Sequence, residues 1–138
     1  IGCIPQGSYM DSSLTLRENI ALPGVFKKMK REDRKKRISE LAIKLGISER
    51  LDQLPRESSG GEIERAAVAR ALLLNPGIIL ADEPTANLDS RNSYNVLVLL
   101  KELCRELNIT VVVSSHDKSA LEFADRVFLV ETKTIRGV

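Results

Sequence analysis

Apolar positions along the chain follow two rhythms. From about residue 15 to residue 74 they recur at helical spacing: Ile38, Leu41, Ala42 and Leu45 stand at i, i+3, i+4 and i+7, and Gly46 follows where a C-terminal cap belongs. An alanine-rich helix from about Ile63 to Leu74 ends the block, stopped by Asn75-Pro76-Gly77. The rhythm then changes. Three short apolar runs, Ile78-Ile79-Leu80-Ala81, Thr110-Val111-Val112-Val113 and Val127-Phe128-Leu129-Val130, lack the alternation of a half-exposed strand. They predict strands buried on both faces, as in a parallel sheet covered by helices. Between the first two, Val96, Leu97, Leu100, Leu103, Cys104 and Leu107 repeat with helix period, which gives a strand, helix, strand unit. At the start, Ile1 to Pro5 reads as a short strand ended by the turn-forming Gln6-Gly7-Ser8.

With 138 residues, 43% of them hydrophobic and 29% charged, the chain suits one globular core, a whole domain or part of one. A net charge of +2 is too small to argue for a nucleic-acid or anionic-membrane surface. The basic run from Lys27 to Arg37 reads most simply as the solvated face and entry of a helix, with a lipid- or partner-facing patch as the alternative. Cys3 and Cys104 have no paired spacing, so neither a disulfide framework nor a zinc site is indicated, and a reducing cytosol is the default. No apolar run approaches the roughly 20 residues needed to span a bilayer, and no signal-peptide pattern opens the chain. Membrane association is therefore expected to go through a partner. Because Ile1 lies inside an apolar start, the sequence reads as a fragment that begins within a strand.

Three local patterns carry chemistry. The first is Ile78 through Thr85, a strand ending in the adjacent carboxylates Asp82 and Glu83. In an open parallel sheet the carboxyl ends of the strands form the ligand crevice. Side chains alternate along a strand, so one carboxylate can hold a hard cation while the other takes a proton from water. Acidic turn formers at a strand end are the alternative. The second is Ser59-Gly60-Gly61-Glu62 opening a helix, where close backbone approach, free N–H groups and the helix dipole favour an anion. An ordinary serine cap explains the same residues. The third is His116, the sole histidine, placed just after a strand, where it either faces the same crevice or is incidental; Asp117 reads as a helix cap.

The order and spacing of these patterns resemble the ATPases of ABC transporters over essentially the whole chain. Gln6 matches the family's Q-loop glutamine, residues 58–62 its signature motif, and residues 65–72 the helix that follows. Asp82 and Glu83 match the Walker B aspartate and catalytic glutamate, Ala86-Asn87-Leu88-Asp89 the D-loop, and His116 the switch histidine. The wording of Ala21-Leu22-Pro23 and of residues 81–89 looks most like the lipoprotein-releasing and macrolide-exporter branch. Two positions depart from the pattern: Ser58 stands where leucine is usual and Glu62 where glutamine is, the latter bringing negative charge toward a bound phosphate.

The resemblance implies an α/β fold: part of a P-loop NTPase (RecA-like) mostly parallel sheet flanked by helices, with an inserted helical subdomain. The expected division is residues 1–7 for a core strand and the Q-loop, 8–76 for the helical subdomain, and 77–138 for the C-terminal part of the core. It also implies ATP and Mg2+ as cofactors, with Glu83 and His116 catalytic. Gln6, Ser59, Gly60, Gly61, Glu62 and Asp89 would bind nucleotide, and Asp82 with Gln6 would bind metal. The implied partners are a second ATPase subunit, head to tail, and transmembrane permease subunits, with no nucleic acid. Such a subunit is cytoplasmic, peripheral on the inner face of the cell membrane. No G-x-x-x-x-G-K-[ST] segment occurs, so the phosphate-cradling loop is expected upstream of Ile1. Its strand would lie between the second and third apolar runs, leaving a gap in the sheet. Two other readings are a non-transport ABC ATPase head, whose long coiled coil is absent from the roughly fifty residues between Gln6 and Ser58, and a non-catalytic dimerisation or docking module.

Overall fold

Thr15 starts the first helix of the block. Its hydroxyl accepts from the Glu18 amide at 3.2 Å while the Glu18 carboxylate accepts from the Thr15 amide at 2.8 Å, a reciprocal capping box. The fully buried Asn19 then fixes the preceding loop, its amide nitrogen donating to the carbonyls of Asp11, Leu14 and Thr15 and its oxygen accepting from the Asp11 amide. The computed structural model describes residues 1–86, 88–131 and 134–137. The first three helices are α1 (Leu16–Phe26), α2 (Arg31–Lys44) and α3 (Gly60–Leu72). Helix α2 ends as its sequence predicts. Gly46 takes φ +66°, its amide bonds Ile43 O, and the Ile47 amide bonds Ala42 O at 2.9 Å, a Schellman closure that buries Ile47 completely.

Three strands run parallel in the order β1 (Gly2–Ile4), β2 (Ile78–Asp82), β3 (Thr110–Ser114), and α4 (Ser90–Leu107) connects the last two. Gly2 pairs with Ile79 and Ile4 with Ala81; Ile78 pairs with Thr110 and Asp82 with Ser114. Since the strands are parallel and in register, their carboxyl ends reach one edge. Helices α3 and α4 pack toward the face that carries Ile4, Ile79 and Ala81. This core continues through Leu16, Ile20, Leu41, Leu72, Leu73 and Leu103, each almost wholly removed from water. A leucine buried this deeply contributes about 1.5–3 kcal/mol relative to an exposed one.

The sheet differs from the sequence expectation in two respects. Only one of its faces is covered by described residues: Ile79 is 0% exposed, whereas Ile78, Leu80 and Val112 on the other face are 40%, 43% and 53% exposed. No described helix packs there, so the continuous apolar pattern serves one covered face and leaves a bare stripe, Cys3, Leu80 and Val112, side by side in register. The third apolar run also pairs differently. It forms β4 (Phe128–Glu131), antiparallel to β5 (Thr134–Gly137), as a separate two-stranded sheet. Among the described residues no strand pairs with the outer edge of β3, where the resemblance implies a gap.

A free edge beside an apolar face favours self-association. The 138-residue chain by itself is expected to sediment as species larger than a monomer, and the pair Leu80→Lys and Val112→Lys to shift it toward the monomer. A monodisperse wild-type monomer in ultracentrifugation would contradict this.

Candidate functional site

The β2–β3 register decides which side chains meet at the sheet edge. Ser114 stands beside Asp82, and its hydroxyl donates to Asp82 Oδ1 at 2.5 Å. Just beyond, the Glu83 amide donates to the carbonyl of Ser114 at 3.0 Å, with its hydroxyl oxygen at 3.3 Å. Glu83 adopts φ +46°, a left-handed conformation that costs a non-glycine residue about 1–2 kcal/mol. These bonds, with that from the Ala86 amide to the Glu83 carbonyl, hold the turn. The kink carries the Glu83 carboxylate to His116, whose Nδ1 lies 2.5 Å from Glu83 Oε1. The imidazole is 81% exposed and the Glu83 side chain 17%, so the carboxylate is sheltered beneath a ring that faces solvent.

Asp82, Glu83 and His116 thus share one rim. Ser114 belongs to it too, although sequence reasoning passed over it. The available signal was its place at the carboxyl end of β3, one strand from Asp82. Gln6 lies two residues past Ile4, which pairs with Ala81, and so is exposed at the same edge. Asp82 and Gln6 carry side-chain oxygens of the kind hard cations take. Among the described residues no cluster of three or more His, Cys, Asp or Glu could hold a metal ion.

A second group forms around the start of α3. Ser59 is the N-cap: its hydroxyl accepts from the Glu62 amide and its amide donates to Glu62 Oε2 at 2.8 Å. The other carboxylate oxygen of Glu62 pairs with Arg50 Nε at 2.9 Å. The Ser59 amide first, and Arg50 after it, hold the Glu62 carboxyl below the usual glutamate range. Glu62 therefore keeps its charge, directed at a cap and a guanidinium. Gly60 lies against Leu88 and Gly61 against Asn92, where added Cβ atoms would come within 3.1 and 3.3 Å of those side chains. Asp89 caps α4 by accepting from the amides of Arg91 and Asn92 and from the Asn92 side chain at 2.6 Å; the Asn92 amide is the main reason its carboxyl is held low. Residues 59–62 and Asp89 are thereby neighbours within one chain. Among the described residues no hydrogen bond or ion pair joins this group to the rim of Asp82, Glu83 and His116. Asp117 serves as a cap, accepting from the Ser119 amide.

A parallel α/β core with a helical insertion and an acid pair at its strand ends is the architecture of a P-loop NTPase cassette. A family model described as ABC transporter matches residues 1–86, and the chain belongs to that family. Lipoprotein-releasing system ATP-binding protein LolD 1 of Rhodopirellula baltica is 41% identical over 137 residues, 99% of this chain and 60% of that protein. Macrolide export ATP-binding/permease protein MacB 2 of Yersinia pestis is 40% identical over 126 residues, 91% of this chain and 18% of that protein. The dimeric ATP-binding cassette MJ0796, solved in a post-hydrolysis state with ADP and Pi, superposes with a TM-score of 0.81 at 36% identity, covering 99% of this chain and 62% of its own. The chain spans less than two thirds of each.

The cap at Ser59 has a measurable weight. Ser59→Ala is expected to destabilise the chain by about 1 kcal/mol in denaturant unfolding, with Ser59→Gly closer to wild type.

Proposed function

We propose that this chain is part of an ATP-hydrolysing subunit that couples ATP binding and hydrolysis to transport through transmembrane permease subunits. The observation that carries this reading is the strand-end rim in which Ser114 holds Asp82 and His116 holds Glu83. Glu83 is the base that polarises the attacking water, and its 2.5 Å contact with His116 keeps the carboxylate oriented. His116, largely exposed, is free to turn from Glu83 toward a phosphate oxygen. Asp82 and Gln6 would hold Mg2+, which when bound neutralises charge on the phosphates.

Ser59, Gly60, Gly61 and Glu62 form the contact for nucleotide carried by a second, head-to-tail subunit, and Asp89 signals across that dimer. The capping of Ser59 does not compete with this role, because the amides of Gly60 and Gly61 at the helix tip remain as anion donors. Glu62 acts as a support for the tip, its charge offset by Arg50. Residues 1–7 and 77–138 serve as core and residues 8–76 as the helical unit that meets the permease. Among the described residues no helix is long and apolar enough to cross a membrane, which fits a subunit held at the inner membrane face by its partners.

Two measurements test the reading. In the full-length subunit Glu83→Gln is expected to lower turnover by about 10² to 10⁴ and to accumulate ATP-bound dimers on size-exclusion chromatography; unchanged turnover would reject the assigned role. The 138-residue chain has no P-loop lysine to offset Asp82, Glu83 and Asp89, so calorimetry on it is expected to show no tight ATP binding. Micromolar affinity would overturn that expectation.

A further inference from the structure

The loop that follows Gln6 is held in an unusual conformation by side chains from α3. Gly7 and Ser8 both have positive φ, +75° and +53°, and Ser8 is 1% exposed although its backbone is left-handed. Two residues of α3 meet it. Arg70 donates from Nη1 to the Tyr9 carbonyl at 2.6 Å and from Nη2 to the Ser8 carbonyl at 3.2 Å. Glu64, one turn beyond the glycines of the helix tip, is 6% exposed, and the Ser8 hydroxyl is the polar group that faces its carboxyl. Neither Ser8 Oγ nor Glu64 Oε2 completes a hydrogen bond of ordinary geometry.

Several charged side chains around α3 are turned to other partners, while Arg65, next to Glu64 on α3, has a buried Nε without a partner. On α1, Arg17 pairs with Asp52 and Glu18 caps Thr15; on α2, Arg34 reaches the Met29 carbonyl and Arg37 pairs with Glu40. On α4, Asp89 caps its own helix and Glu106 pairs with Lys44. The guanidinium of Arg70 is committed to the carbonyls of Ser8 and Tyr9, and Glu62 to Ser59 and Arg50. Among the described residues no cation forms an ion pair with Glu64. A carboxylate buried without one favours its neutral form.

We propose that Glu64 is a positioning residue: as a neutral carboxylic acid it joins Arg70 in locking residues 8–10 onto α3, so that the Gln6 turn and the Ser59 helix tip move as one body, and its ionisation loosens that lock. Burial raises the Glu64 carboxyl above its ordinary value of 4.5, with the Ser8 hydroxyl opposing the shift. For a raised carboxyl the sign is fixed. The stabilising contribution is complete below the ordinary value and is lost as pH rises through the raised one. The importance of the lock for turnover rests on the function proposed above; its existence does not.

Amide hydrogen exchange of the full-length protein, corrected for intrinsic rates, tests it over about pH 5 to 9, the span in which buried glutamates titrate. In the wild type, protection of the Ser8 amide, which bonds the Pro5 carbonyl, is expected to fall by up to about tenfold per pH unit and then level off. Glu64→Gln, a neutral isostere, is expected to keep this amide protected at every pH, and Glu64→Ala to leave it poorly protected throughout. Superimposable pH profiles for wild type and Glu64→Gln would overturn the lock, even if Glu83→Gln still abolished turnover. A pH-independent loop in Glu64→Gln with an ATPase insensitive to Glu83→Gln would leave the lock standing and sink the proposed function.

Discussion

Backbone pairing between β2 and β3 is the constraint on which the site depends. Five residue pairs in parallel register bring Asp82 level with Ser114, and the next amide, that of Glu83, continues the pairing to the Ser114 carbonyl. A slip of one residue would turn every side chain of β2 to the opposite face, exposing Ile79 and Ala81 and burying Asp82. The same hydrophobic preference that buries Ile79 thereby places a carboxylate at the sheet edge. The left-handed turn at Glu83 is held by bonds that this register provides.

Residues with a candidate chemical role also hold the fold together. Ser59 starts α3 and Asp89 starts α4, and each satisfies amides that a helix leaves unpaired at its beginning. A helix start is both a place that needs a cap and a place that attracts anions, so the structural and functional readings of Ser59 are compatible. Glu62 shows how a charge is accommodated there: its carboxylate accepts from the cap residue and from Arg50. The negative charge that departs from the family's usual glutamine therefore has local partners.

The helical unit and the sheet are joined at the loop after Gln6. Arg70 projects from the helix that Ser59 opens and bonds the loop that β1 leads into, and Glu64 lies buried on the same helix. One helix therefore carries both the Ser59 tip and the side chain that holds the loop after Gln6. On the other side of the sheet, Leu80 and Val112 have no described partner. The covered and bare faces of one sheet explain why the apolar runs read as buried on both sides: their composition suits cover on both, while α3 and α4 supply only one.

Local physics made much of this legible from the amino-acid order. Gly46 after an apolar helical stripe forces a left-handed close, Asn75-Pro76-Gly77 cannot continue a helix, and the acid pair after Ile78-Ile79-Leu80-Ala81 marks a strand end; each depends on near neighbours in the chain. The sequence also carried the family resemblance, since its motifs keep their order whatever the packing. Tertiary structure alone decided what meets across long separations. Ser114 bonding to Asp82, His116 reaching Glu83, and Asn92 lying beside Gly61 follow from strand register and helix packing, which no local pattern specifies. The pairing of β4 with β5, and the burial of Glu64 against Ser8, are of the same kind. They arise from long-range burial, where a titratable side chain is enclosed because its apolar neighbours Ala66, Ala67 and Val68 carry it into the core.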